Sequence, residues 1–170
     1  MSAETSGPNP SKSDRLPGKR VSDSQATLSQ RMQPEHANIM NNVHGGVLMK
    51  LIDEAGAISA QKHARSPGVV TVFVSSLEFK KPVHVGDLVT FSSQLTYVGT
   101  SSMETEVKVE AENMQTGEKT HTNSAYLVYV ALDENKRPTQ VPPLIIESEE
   151  EKRRFEEGKK RQSARLGKIS

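Results

Sequence analysis

The feature that most constrains the fold is a proline-free stretch from Gly45 to Ala64 with helical spacing, followed by four β-rich segments. Apolar residues within it recur at three- and four-residue intervals, the mark of a helix packed against other elements. At about 100° per residue, Val47, Leu48, Leu51, Ile52, Ala55 and Ile58 share one broad arc, while Lys50, Glu54 and Gln61 form a narrow polar stripe. A third arc collects Gly46, Met49, Asp53, Gly56, Ala57 and Ala60. A helix that is apolar around most of its circumference is buried, and small residues along one arc admit a second backbone or a ligand. Asp53 is the anomaly there, a carboxylate where burial favours an apolar side chain.

After the Pro67-Gly68 turn come VVTVFVSSLEF, DLVTFSSQLTYVG, SSMETEVKVEAENMQ and EKTHTNSAYLVYVAL, all rich in β-branched residues. They are separated by the Pro82 to Asp87 turn, the Gly99 loop and QTGE, the last short enough for a hairpin. With ATLSQRM upstream as a further strand, the expected class is α+β: one long central helix against an antiparallel sheet of about five strands. His36 to Asn42, preceded by Pro34 and holding several Asn, reads as loop. One helix cannot cover such a sheet and also bury its own outer arc. A second copy of the chain is therefore expected, making the protein a homo-oligomer.

The 170 residues suit a single domain. Residues 1–24, rich in Ser, Pro, Gly and charge, are expected to be disordered, with the folded domain spanning 25–146. Residues 147–170 form a charged helix or tail, expected to be solvated because Phe155 is nearly its only large apolar residue. A formal charge of +1 gives no electropositive footprint for nucleic acid. Without cysteine there is no disulfide, no thiolate nucleophile and no Cys-ligated zinc. The first residues hold no apolar signal region, and no later run is long enough for a membrane span, so the expectation is a cytoplasmic protein.

Two readings of Asp53 stand at this point. It is either half of a structural ion pair with Lys50, one turn away, or a working carboxylate. Its neighbours favour work. Gly45 and Gly46 stand where the helix begins, and the first N–H groups of a helix lack intrahelical partners and carry the positive dipole end, a ready oxyanion site. Asn38 adds an amide able to donate to a carbonyl or accept from water. His44 is either a general acid or an N-cap-like group that shapes the helix start. His36, His63, His84 and His121 show no metal-ligand spacing, so no metal is expected.

The blocks ANIMNNVHGGVLMKLIDEAG, VTVFVSSLEFKKPVHVGDLVTF, SSMETEVKVEAENMQTGE and HTNSAYLVYVAL together resemble the hotdog-fold acyl-coenzyme A thioesterases, in particular the cytosolic (brain-type) group, from about residue 26 to 145. The resemblance implies a helix wrapped by an antiparallel sheet, paired as a dimer and commonly built into hexamers. It also implies that Asp53 is the catalytic acidic residue, Asn38 its amide partner from the opposite member of the dimer, and Gly45 the oxyanion donor. The chain departs from the family where an Arg often precedes the TSM pattern: here Thr100 stands in VGTSSME. Phosphate binding then falls to other groups. Substrate-binding candidates are His44, Gly46, Lys80, Ser101 and Ser102, with Lys81 as a further basic residue.

The expected reaction is hydrolysis of a fatty acyl-CoA thioester to the fatty acid and free coenzyme A, with no cofactor beyond the coenzyme A of the substrate. Asp53 would either activate water or attack to form an anhydride. A dehydratase or hydratase on the same fold would instead need His44 as base. A non-catalytic acyl-CoA sensor would have no use for a buried carboxylate, which costs free energy to desolvate.

Overall fold

The computed structural model describes residues 15–167. In chain order the elements are β1 (Lys19–Arg20), β2 (Ala26–Arg31), α1 (Gly45–Ala64), β3 (Gly68–Leu77), β4 (Leu88–Val98), β5 (Ser102–Glu112), β6 (Lys119–Leu132), β7 (Leu144–Ile145) and α2 (Glu149–Gly167). Strands β2 to β6 form one antiparallel sheet of five strands in the order β2-β4-β5-β6-β3, and β1 pairs in parallel with β7. This is the α+β architecture expected from the sequence. Strands β4, β5 and β6 run as a meander, while β3 crosses to the far edge beside β6.

Local chemistry sets the corners. In the β5–β6 hairpin the Asn113 side-chain carbonyl accepts from the N–H groups of Gln115 and Thr116, and Gly117 takes a φ of 72°, which a glycine adopts without steric cost. At the end of α1, Arg65 turns left-handed at φ 52° and its N–H closes onto the Gln61 carbonyl. Leu48, Leu51, Ile52 and Ala55 of α1 are buried against Phe91, Met103, Val107 and Leu127 of the sheet, which forms the main core.

The small-residue arc divides. Gly56 and Ala60 are buried, and a Cβ at Gly56 would overlap the Tyr129 hydroxyl and meet Thr105 Oγ1 at 2.9 Å, so the close approach at this glycine is to the chain's own sheet. Met49 of the same arc is 47% exposed, and Ile58, expected in the core, is 42% exposed. On the edge strand β3, Val70, Val72, Phe73 and Val74 are all exposed, a run of apolar side chains that an edge open to water does not favour.

Both ends of the chain differ from expectation. Residues 19–24 are ordered: β1 pairs with β7, Val21 and Ser24 are buried, and Lys19 Nζ donates to the carbonyls of Lys62 and His63 at the end of α1. The ordering comes from residues more than forty positions away, which local composition does not report. Of the rest of the expected tail, residues 15–18 have no regular secondary structure and residues 1–14 lie outside the described residues. Helix α2 is not fully solvated. It lies on the face of the sheet opposite α1, where Arg161 pairs with Glu104, Arg154 Nε stands 3.6 Å from Glu106, and the Phe155 and Tyr97 rings are 5.0 Å apart.

Candidate active site

Asp53 sits midway along α1, partly buried, with its side chain turned to the sheet. Its Oδ1 accepts from Thr71 Oγ1 on β3 at 2.7 Å and from the Tyr129 hydroxyl on β6 at 3.1 Å. The same hydroxyl lies 3.0 Å from the Asp53 backbone carbonyl. Thr71 and Tyr129 are register partners across the β3–β6 pair, so both donors stand on one rung of the sheet. Burial, reinforced by the Asp53 charge and its hydrogen bond, pushes the Tyr129 hydroxyl far above the ordinary tyrosine range. Tyr129 therefore remains a neutral donor. Lys50 pairs with Glu54 at 3.8 Å, which leaves Asp53 out of the ion pair that a purely structural role would require.

Beside Asp53 opens an apolar cavity of about 280 Å³, bounded by Met49, Ile52, Thr71, Val74, Leu77 and Leu127 together with Lys50 and Asp53. A larger groove of about 420 Å³ lies between β2 and α2, but it is lined by groups such as Ser92, Gln94, Lys108 and Arg154 and holds none of the candidate residues. In the smaller cavity a carboxylate with fixed donors meets an apolar wall, the arrangement that suits a ligand with an apolar body and a polar reacting end.

The other expected residues fall in three places. At the start of α1, His44 is the N-cap and its Nδ1 accepts from the Gly46 N–H at 3.3 Å, so Gly46 spends its N–H within the chain. The Gly45 N–H has no partner among the described residues, and the Phe79 ring borders this glycine. Asn38 uses its side-chain oxygen to accept from the N–H groups of Met40 and Asn42 at 2.9 and 3.2 Å, which leaves its NH2 group as the outward function. Lys80 is exposed just beyond Phe79, its backbone N–H bonded to the Thr122 carbonyl. Ser101 and Ser102 occupy the β4–β5 turn, where Ser102 Oγ accepts from Gln162 of α2 at 3.4 Å, on the face of the sheet away from Asp53. Thr100 in the same turn is exposed. No cluster of three or more His, Asp or Glu suited to a metal ion occurs among the described residues.

One chain thus brings Asp53 together with Thr71 and Tyr129, but not with Asn38 or Gly45. Gly45 and Asp53 stand eight positions apart on α1, an axial rise of about 12 Å, too far for one thioester carbonyl to touch both. Asn38 is absent from the lining of the Asp53 cavity. Thr71 and Tyr129 escape a reading of the sequence because each suits its strand without any chemical role. The threonine inside the apolar VVTVFV run is the one faint signal.

The sequence from 40 to 118 matches the thioesterase superfamily model. A Bacillus subtilis protein named as an uncharacterized acyl-CoA thioester hydrolase, YkhA, is 41% identical over 129 residues, covering 76% of this chain and 74% of that protein. The rat cytosolic acyl coenzyme A thioester hydrolase is 38% identical over 143 residues, covering 83% of this chain, while the match spans 37% of that longer protein. Among solved structures, an apo-hexameric acyl-CoA thioesterase superposes with a TM-score of 0.86 at 34% identity, covering 91% of this chain and 99% of that one. The Staphylococcus aureus acyl-CoA hydrolase, solved with butyryl coenzyme A and coenzyme A, superposes with a TM-score of 0.82 at 33% identity, covering 90% and 93%. With fold, helix, sheet and motif in agreement over most of its length, the chain belongs to the hotdog-fold acyl-CoA thioester hydrolases of the thioesterase superfamily.

Proposed function

We propose that this chain hydrolyses fatty acyl-CoA thioesters to the free acid and coenzyme A, with Asp53 as its catalytic carboxylate. The observation that carries the reading is the Asp53 carboxylate, anchored through Oδ1 by Thr71 and Tyr129 at the side of an apolar cavity. Water supplies the oxygen that forms the new C–O bond, the C–S bond breaks, and the proton lost from water ends on the coenzyme thiolate. Asp53 serves either as base, taking the proton from that water as it attacks the carbonyl and passing it to the leaving thiolate, or as the first nucleophile, forming an anhydride that water then opens. The acyl chain lies along Met49, Ile52, Val74, Leu77 and Leu127. The reaction names no metal or redox cofactor, since the coenzyme arrives as part of the substrate.

The site is completed by a second copy of the chain. The Asn38 amide and the free Gly45 N–H form the carbonyl-binding half, and Asp53 of the partner subunit supplies the other. The 12 Å rise along α1, about two turns, supports this division, as does the run of exposed apolar residues on β3. The hexameric neighbour supports assembly of such dimers into a hexamer. Staphylococcus aureus hydrolase variants carry alanine for an asparagine and for an aspartate fifteen positions later, the spacing of Asn38 and Asp53 here. A third carries alanine for a threonine seventeen positions beyond that aspartate; Thr71 stands eighteen beyond Asp53. Lys80, beside the Phe79 that borders Gly45, is the basic side chain we assign to the coenzyme phosphates. A cytoplasmic setting is supported by relatives named cytosolic, and no described helix is long and apolar enough to cross a membrane.

Thiol release from acetyl-, medium- and long-chain acyl-CoA by wild type and Asp53→Asn tests the reading. The variant should lose on the order of 10²–10⁴ in rate while still binding coenzyme A. Wild-type protein that binds acyl-CoA without releasing thiol would make the chain a binder. Hydration of an enoyl-CoA instead would make it a hydratase.

A further inference from the structure

Tyr129 does more than fill the core. We propose that it is a positioning residue which, with Thr71, holds Oδ1 of Asp53 and so leaves Oδ2 as the oxygen that acts on water or on the thioester. The inference rests on the hydrolase reading above, and it fixes which end of the carboxylate does the chemistry.

A carboxylate on a helix rotates about χ2 unless something holds it, and its terminal torsion is broad. Here two hydroxyls, from Thr71 and Tyr129, converge on the same oxygen at 2.7 and 3.1 Å. Among the described residues Oδ2 accepts from none. The single Tyr129 proton is shared between Oδ1 and the Asp53 backbone carbonyl, so the hydroxyl ties side chain and backbone of one residue together. Three features keep that hydroxyl in place. The Tyr129 ring is fully buried and cannot swing out. Thr71 faces it across one β rung, immediately before a bulge at Thr71/Phe73 that ends the regular register. Gly56, one turn beyond Asp53 on α1, leaves the space that any larger residue would take from the hydroxyl. A phenylalanine would fill the same core volume, so packing alone gives no reason for a buried phenol.

The test compares wild type, Tyr129→Phe, Asp53→Asn and the double variant by thiol release and thermal melting. Tyr129→Phe should lower kcat about tenfold to a hundredfold, the loss expected when a carboxylate gives up a positioned donor, with KM within about twofold. In the Asp53→Asn background the same change should alter kcat by less than about twofold, because there is no longer a carboxylate to hold. A fold-loss in kcat that is equal in both backgrounds overturns the proposal, since it marks a general effect of the core. So does wild-type kcat in Tyr129→Phe beside an inactive Asp53→Asn. Wild-type activity in Asp53→Asn would remove the site assignment itself and the positioning role with it. If Tyr129→Phe fails to fold, Thr71→Val puts the question to the same oxygen from an exposed strand position: a kcat loss that vanishes in the Asp53→Asn background supports the proposal, and one that persists overturns it.

Discussion

Arg161 of α2 grips Glu104 of β5 with two hydrogen bonds, Nε to Oε2 at 3.1 Å and Nη2 to Oε1 at 2.7 Å, and its guanidinium lies 3.9 Å from the centre of the Tyr126 ring. Glu104 is 2% exposed and also accepts from Thr96 Oγ1 at 2.6 Å, so removal of the arginine strands a charge in a nearly dry site. Arg161→Ala should cost about 3 kcal/mol in urea unfolding, or else α2 should lift and hydrate Glu104, seen as fast amide exchange confined to α2. Arg161→Lys keeps the charge and loses the fork, and should recover only part of the loss. Full stability together with full α2 protection in Arg161→Ala would show that the remaining contacts, Phe155 on Tyr97 and Arg154 beside Glu106, are enough to hold the helix.

His63 gives the fold an acid limit. Its ring is fully buried, Nε2 lies 2.7 Å from the Pro142 carbonyl and therefore donates, and Nδ1 has no partner among the described residues. Burial, with Lys19 adding to it, holds the imidazole below its ordinary value of 6.5. The unfolded chain thus takes up a proton at a pH where the folded one does not. The contribution is complete above about pH 6.5 and falls as pH drops from there through the lowered folded value, by at most ~1.4 kcal/mol per pH unit. His63→Asn should be less stable than wild type at pH 7.5, and its urea midpoint should change less between pH 7.5 and 5. Parallel pH curves would assign the acid limb to other groups.

What could be read in advance follows from the range of each interaction. The α1 helix was legible because its period repeats over twenty residues, and Asp53 because it breaks that period. The strands were legible from β-branched runs bounded by turn residues. Thr71 and Tyr129 were hidden because each satisfies strand propensity, and only the register that sets them opposite one another beneath α1 gives them a task. Residues 19–24 and α2 depart from what their local sequence predicts for a related reason. Lys19 is ordered by carbonyls at the end of α1, and Arg154 and Arg161 of α2 by glutamates on β5, partners that no local window contains.

The N-terminal segment gives a simple test of that last point. A chain beginning at Arg15 keeps β1, the buried Val21 and the Lys19 bonds, whereas one beginning at Gln25 loses all three. The shorter chain should be less stable by about 2 kcal/mol, the order of burying one valine side chain, while the longer one melts as wild type does. Equal melting temperatures for the two would mean that β1 adds order without stability.

The proposed sharing of the site between two subunits makes the most direct prediction. Ile39 and Met40, beside Asn38, are 101% and 74% exposed, so the loop that carries the amide projects from its own chain toward whatever lies beyond it. If Asn38 of one chain works with Asp53 of the partner subunit, Asn38→Ala and Asp53→Ala proteins are each inactive alone yet complement one another. In a two-fold dimer with one chain of each kind, one site collects both substitutions and the other collects neither. Random reassembly after mixing in denaturant makes about half of the dimers mixed, each with one intact site of two, so thiol release should return to about a quarter of the wild-type rate. The wild-type protein taken through the same cycle sets the scale. Mixtures that stay as inactive as their parents, while that control recovers, would place Asn38 and Asp53 in the same chain's site or remove Asn38 from the chemistry. The loop from Asn38 to Asn42 would then have to fold back over the Asp53 cavity on binding substrate, a movement that amide exchange with and without coenzyme A would reveal.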